Sequence, residues 1–182
     1  MTQPFITFYT PTYRRPTQLA RCMESVRTQT VVDQIEQIVI PDHIGIGVGG
    51  MFGRVSAYVD AVHGQYVHML CDDDVLAGPT VVEQVAAFAA ALSFPPVILV
   101  RAIKGAYTWP RGVPWPPVCG LIDLGCVITR ADIWKAHAED YGQVYEGDYL
   151  QMKAVAEAGH NAVFCDVLFC HGPVSHGEAE AV

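Results

Sequence analysis

The chain has 182 residues, 51% of them hydrophobic and 16% charged. That composition excludes a disordered segment and a coiled coil, and the length allows a core that needs no disulfide or metal staple. Eleven Lys and Arg stand against 19 Asp and Glu, a net charge of −8, the opposite sign to a protein that coats nucleic acid.

In chain order, residues 5–9 read as a first strand stopped by Pro11. After Thr17, the apolar residues Leu19, Cys22, Met23 and Val26 recur at helical spacing. A second strand is expected over 34–40, ending at Pro41-Asp42. Gly45, Gly47, Gly49 and Gly50 then lead into a helix expected over 52–62 and stopped by Gly64. Residues 65–70 form a third strand that runs into Asp72-Asp73-Asp74. A valine- and alanine-rich helix over 81–92, closed by Pro95-Pro96, precedes a fourth strand over 97–101. Residues 107–117, with Trp109, Trp115 and four prolines, read as an ordered surface loop. A buried strand over 120–129, a helix from Arg130, a helix over 148–158 and a last strand over 161–169 complete the chain, with 178–182 as a frayed tail.

The amino terminus carries neither a basic segment nor a long apolar run, so no targeting signal is expected. The most apolar stretch, 85–100, is about 16 residues and is interrupted by two prolines, too short to span a bilayer. Six cysteines without a C-x-x-C pair read as buried free thiols, and a cytoplasmic setting follows. Alternating strands and helices predict an α/β domain with a mostly parallel central sheet and helices on both faces. Ligands of such sheets bind beyond the carboxyl ends of the strands, and Pro11-Thr12, Asp42 and Asp72-Asp73-Asp74 all fall there.

Three adjacent carboxylates repel one another unless a cation or hydrogen-bond donors balance them. A hard divalent cation held together with a phosphate ligand is one balance; an acidic turn that caps the next helix is the other. The glycines offer a rival. Gly45 to Gly50 satisfy G-x-G-x-x-G between a strand and a helix, and Asp72 lies where a dinucleotide fold places its ribose-binding acid. An NAD(P)-dependent oxidoreductase is therefore an alternative. Against it, Pro41-Asp42-His43-Ile44 separates the strand from the glycines, and the triad's other members stay unexplained.

Phe8-Tyr-Thr-Pro-Thr-Tyr-Arg-Arg-Pro16 and the following helix, ending in Ser25-Val26-Arg27-Thr28-Gln29-Thr30, resemble the opening of the family 2 glycosyltransferases of GT-A fold. Ile38-Val39-Ile40-Pro41-Asp42 is similar to the family's second strand with its nucleotide-contacting Asp. Gly64-Gln65-Tyr66-Val67-His68-Met69-Leu70-Cys71-Asp72-Asp73-Asp74 resembles the strand that leads into its D-x-D metal motif. The resemblance implies a single domain over 1–177, with a nucleotide-sugar-binding half over 1–105 and an acceptor half over 106–177. It implies transfer from a nucleotide-diphosphate sugar, such as a UDP-sugar, with Mg²⁺ or Mn²⁺. Pro11, Thr12, Tyr13, Arg15, Asp42 and Arg54 would hold the nucleotide, Asp72 would sit near the ribose, and Asp73 or Asp74 would hold the metal. His171, or His176 beyond it, would complete the metal site or touch the diphosphate. Asp148, in Glu146-Gly147-Asp148, takes the place of the family's catalytic base, which implies inversion at the anomeric carbon; on its own it reads as a carboxylate favoured by a helix N-terminus.

Two departures stand out. Cys71 occupies the place of a first acidic residue, and Arg54-Val55 keeps only the Arg of an Arg-Asn pair; both keep a non-catalytic nucleotide-sugar-binding protein as an alternative. Tyr107, Trp109 and Trp115 form either a sugar-stacking platform or a loop packed on the core, with Asp123 bordering the acceptor. The acceptor stays open among glycan, protein, small molecule and modified nucleobase, with a basic patch of Arg101, Lys104 and Arg111 as the one feature favouring nucleic acid. Oligomer formation through an edge strand or the tryptophan loop is also open.

Overall fold

The computed structural model describes residues 3–173, so the tail at 178–182 and His176 lie outside the described residues. The strands are β1 (Ile6–Thr12), β2 (Ile35–Pro41), β3 (Tyr66–Met69), β4 (Val75–Leu76), β5 (Val97–Lys104), β6 (Tyr107–Trp109), β7 (Val127–Arg130) and β8 (Ala162–Gly172). The helices are α1 (Pro16–Arg27), α2 (Gly47–Phe52), α3 (Val81–Ala91), α4 (Ala131–Ala136) and α5 (Gly147–Glu157). One sheet runs in the order β2-β1-β3-β7-β5-β8-β4, with β6 hairpinned onto β5.

The expected α/β architecture is present, and the sheet is mixed. β2, β1 and β3 are parallel, as are β5 and β8. β7 enters between β3 and β5 antiparallel to both. β1 is flanked on both sides, by β2 and β3, which explains why Ile6 to Thr10 are all buried. Pairing of side chains across the two faces divides the interior. Ile6, Phe8 and Tyr66 join residues of α1 and α3 in one core; Tyr9, Val67 and Met69 join α2, α4 and the 3₁₀ turn Val55–Ala61 in the other.

Several elements differ from expectation for identifiable reasons. β1 does not stop at Pro11. The Leu70 N–H donates to the Tyr9 carbonyl and the Asp42 N–H to the Thr12 carbonyl, so alternation turns the Pro11 nitrogen toward the β3 side, where β3 has already ended at Met69. The helix expected over 52–62 begins earlier, at Gly47, breaks after Phe52, and resumes as 3₁₀ over Val55–Ala61. Gly47, Gly49 and Gly50 lie inside α2, and the 142–145 segment packs against it at Gly49, where a Cβ would come within 2.8 Å of the Gln143 carbonyl oxygen. The strand expected over 120–129 shrinks to β7. Asp123 accepts a 2.9 Å hydrogen bond from Gly125 N–H and nucleates a 3₁₀ turn over Leu124–Cys126. Cys119 is exposed, unlike Cys22, Cys126, Cys165 and Cys170. Among the described residues, no helix is long and apolar enough to cross a membrane.

His68 on β3 makes the core sensitive to acid. It is 1% exposed, its Nδ1 lies 2.8 Å from the Val127 carbonyl, and Phe8 and Phe169 meet its ring edge-on. Burial pushes its pKa down to about 4, opposed by the Val127 contact. Unfolded, the ring titrates near ~6.5. The unfolded chain thus binds the extra proton between those values, and stability falls as pH drops through that window, by about 3 kcal/mol in all. His68→Phe is expected to flatten that part of the melting-temperature profile between pH 4 and 6.5; an unchanged acid slope would contradict the assignment.

Candidate active site

Because β1, β2 and β3 are parallel, their carboxyl ends share one edge, and a cleft of about 280 Å³ opens beyond it. Pro11, Thr12, Tyr13 and Arg15 line it from β1 and the turn into α1, Asp42 and Arg54 from the far wall, and Cys71 and Asp73 from the end of β3. Six residues expected at the nucleotide therefore meet in one cleft. Asp42 works through the loop it holds. Its carboxylate accepts from the N–H groups of Ile44 (3.0 Å), Gly45 (3.0 Å) and Ile46 (2.6 Å). Burial raises its pKa, but these donors together hold the carboxyl below the ordinary range. The loop turns on Gly45 at φ +77, where a Cβ would also strike the Tyr13 ring at 2.8 Å.

The three aspartates separate into three environments. Asp72 is fully buried and lies beneath the cleft rather than in its lining. One Arg15 nitrogen is 2.7 Å from Asp72, the other 3.1 Å from Asp73. Burial pushes the Asp72 pKa up, while the Thr12 hydroxyl and Arg15 favour the charged form. Asp73 faces the cleft. Asp74 is buried and paired with Lys104 of β5, whose ammonium also lies 3.9 Å from Asp123. Burial pushes Asp74 up to about 6 against the pull of Lys104; burial alone would lower Lys104, yet Asp74 holds its ammonium well above its ordinary range.

Ligand atoms of Cys71, Asp73 and Asp74 lie within 4.8 Å of one another. A hard cation prefers the oxygens: Asp73 is open to the cleft, and Asp74 Oδ1 is buried without a hydrogen-bond partner among the described residues. The Cys71 thiol is pushed well above its ordinary pKa by burial and by Asp74, which suits a neutral thiol. The set therefore fits a hard divalent cation through Asp73, with Asp74 drawn back by Lys104. His171 stands on β8 opposite Val75, outside that group. It lines a separate cavity of about 300 Å³ with Gln18, Arg21 and Asp73.

Asp148 lies in the first turn of α5, where Tyr149 N–H donates to it at 2.8 Å. Burial pushes its pKa up to about 6, with Asp123 and Glu146 adding to the rise and Tyr149 opposing it. It opens onto a cavity of about 330 Å³ lined by Trp109, Asp123, Tyr145, Glu146 and Tyr149. Val48 and Leu124 border both this cavity and the first cleft, so the two spaces adjoin. Only Trp109 of the three loop aromatics reaches it. Arg111 lies 4.4 Å from the Trp109 ring centroid and 5.0 Å from that of Tyr107, and Trp115 donates to the His160 carbonyl at 3.0 Å. The loop is packed on the core.

The basic patch expected from Arg101, Lys104 and Arg111 is not formed. Arg101 pairs with Asp166, Lys104 is internal, and Arg111 covers the aromatics. The dinucleotide arrangement is also absent: β1 lies between β2 and β3, so the strand after the glycines is not beside the strand before them, as the fingerprint requires. Sequence reasoning missed Lys104 as a partner of the triad, because a lysine at a strand end carries no signal of what it faces. It also passed over Gln151, which reads as an ordinary helix residue.

The mixed sheet, its carboxyl-edge cleft and the aspartate cluster after β3 make up a GT-A-like fold. Solved structures agree over most of the chain. It is similar to S. aureus TarS 1-349 in complex with UDP-GlcNAc, with a TM-score of 0.65 and 18% identity over 96% of this chain and 60% of that one. It is similar also to the mannosyltransferase PcManGT from Pyrobaculum calidifontis in complex with GDP-Man and Mn²⁺, with a TM-score of 0.64 and 9% identity over 97% of this chain and 59% of that one. The chain thus spans about 60% of the length of these two structures, and at these identities the likeness establishes the fold. No protein-family model and no curated protein matches the chain.

Proposed function

We propose that this protein transfers a sugar from a nucleotide-diphosphate sugar to an acceptor hydroxyl. One observation carries the reading: a cleft walled by Arg15, Asp42, Arg54 and Asp73 adjoins a cavity onto which the half-buried carboxylate Asp148 opens. The nucleotide occupies the first space, with Arg15 and Arg54 offsetting the diphosphate charge. Asp72 keeps Arg15 in place, and Asp42 shapes the loop wall. The donor cleft is lined mostly by residues before 105 and the acceptor cavity mostly by described residues after it, with Leu124 and Val48 bordering both.

A Mg²⁺ or Mn²⁺ held by Asp73 and the diphosphate oxygens would neutralise charge growing on the leaving group. Asp148 takes the proton of the acceptor hydroxyl as its oxygen bonds to the anomeric carbon and the bond to the diphosphate breaks. A single displacement of this kind inverts the anomeric centre. The nucleotide sugars bound by TarS and PcManGT support UDP- or GDP-sugars as the first donors to examine. His171 lines the cavity on the other side of Asp73, outside the donor cleft, so no metal or diphosphate role is assigned to it.

The test is release of nucleoside diphosphate from UDP-, GDP-, TDP- and CDP-sugars offered with mixed glycan acceptors, with and without EDTA. One donor is expected to be consumed, with an inverted product, and Asp73→Ala should lower turnover at least ~100-fold. Consumption unaffected by Asp73→Ala would contradict the site, and donor binding without any turnover would favour a non-catalytic binder.

A further inference from the structure

Asp148 borders a second, smaller space on its inner side. A cavity of about 10 Å³ between α5 and the sheet is lined by Asp148, Gln151, Thr129, Trp134 and Tyr141 among apolar neighbours. Asp148 and Gln151 are three residues apart on α5 and so share a helix face. Gln151 is 1% exposed, and among the described residues neither its Oε1 nor its Nε2 has a hydrogen-bond partner. Buried amides of folded proteins are satisfied in the great majority of cases, by protein groups or by ordered water. The space has the volume of one water, about 10–15 Å³, and its polar lining offers that water the several partners it needs. An apolar side chain would fill the same space without leaving two polar atoms in it.

We propose that Gln151 is a positioning residue that holds one internal water against the inner side of Asp148 and, through it, orients the carboxylate toward the acceptor cavity. The inference rests on the reading of Asp148 as the base. The other titratable groups around Asp148 do not supply this support. Asp123 and Glu146 are like charges, while Tyr141 and Cys126 are buried with their pKa values pushed up and stay neutral. A water that donates to the carboxylate favours its charged form, which offsets part of the effect of burial.

Two NMR measurements on the full chain test this without a substrate. In the wild-type protein, the Gln151 side-chain amide protons are expected to show a cross-peak to a long-lived water. The Asp148 carboxyl, followed by ¹³C titration, is expected to shift its midpoint upward by about half a unit to one unit in Gln151→Met. The acidic limb of the kcat profile should move with it, with the donor KM unchanged. Absence of the water cross-peak, or an unmoved Asp148 midpoint in folded Gln151→Met, would overturn the proposal. Should that variant fail to fold, the wild-type cross-peak decides alone. Full transfer by Asp148→Asn would instead overturn the base reading and leave both NMR results standing, so the two failures are distinguishable.

Discussion

Asp148→Asn is expected to lower kcat for transfer by about 10²- to 10⁴-fold, the range for loss of a general base, while the protein becomes more stable. The second half follows from burial. The carboxyl titrates at about 6 in the folded protein, mainly because burial disfavours its charge, and near ~3.9 unfolded. The folded state therefore binds the proton more tightly, and stability is lost as pH rises from about 4 to about 6. Above that window the loss is complete, about 1–3 kcal/mol for a group that keeps some solvent contact. Asparagine keeps an oxygen for Tyr149 N–H and carries no charge, so its advantage should be present at pH 8 and vanish near pH 4. Chemical denaturation at both pH values, beside single-turnover kinetics, checks the pair of effects. A carboxylate kept for helix capping would behave oppositely, since its removal would destabilise the protein.

Lys104→Met has the second large effect, on the fold rather than on the chemistry. Removing one partner of a buried ion pair leaves an uncompensated charge and costs about 3–5 kcal/mol. Asp74 is 1% exposed and the Lys104 side chain 14% exposed, so solvent offers little relief. Asp74 responds by taking up a proton, and the loss grows with pH. Replacing both partners, as Asp74→Asn with Lys104→Met, should recover most of the stability. Urea unfolding of the two single variants and the double variant measures the coupling; additive effects would show that the pair is not a unit.

How much of this was legible in the sequence follows from what each residue depends on. Pro11, Thr12, Arg15, Asp42 and Asp73 converge because parallel strands place their carboxyl ends on one edge, and chain order is enough to predict that. The three aspartates looked equivalent because adjacency carries no information about burial. Their different roles come from Arg15, one strand away, and from Lys104, which meets Asp74 from 30 residues further along the chain. The insertion of β7 antiparallel between β3 and β5 was equally hidden, since alternation of strands and helices does not encode the spatial order of strands. The glycine pattern misled in the opposite direction. It matched a phosphate-binding fingerprint by spacing, but its glycines serve the loop beside Tyr13 and the packing of the 142–145 segment on α2.

The central claim is that the cleft beyond β1, β2 and β3 binds a nucleotide-diphosphate sugar, and thermal melting against ligands tests it most directly. The panel is UDP-, GDP-, TDP- and CDP-sugars and NAD, each with and without Mn²⁺. At 100 times the dissociation constant, binding stabilises by about 2.7 kcal/mol, which raises the midpoint of a domain this size by about 5–10 °C. The account predicts such a rise for one nucleotide sugar, enhanced by Mn²⁺ and lost in Asp73→Ala. A metal-independent rise with NAD alone, or a nucleotide-sugar shift that survives Asp73→Ala unchanged, would contradict it.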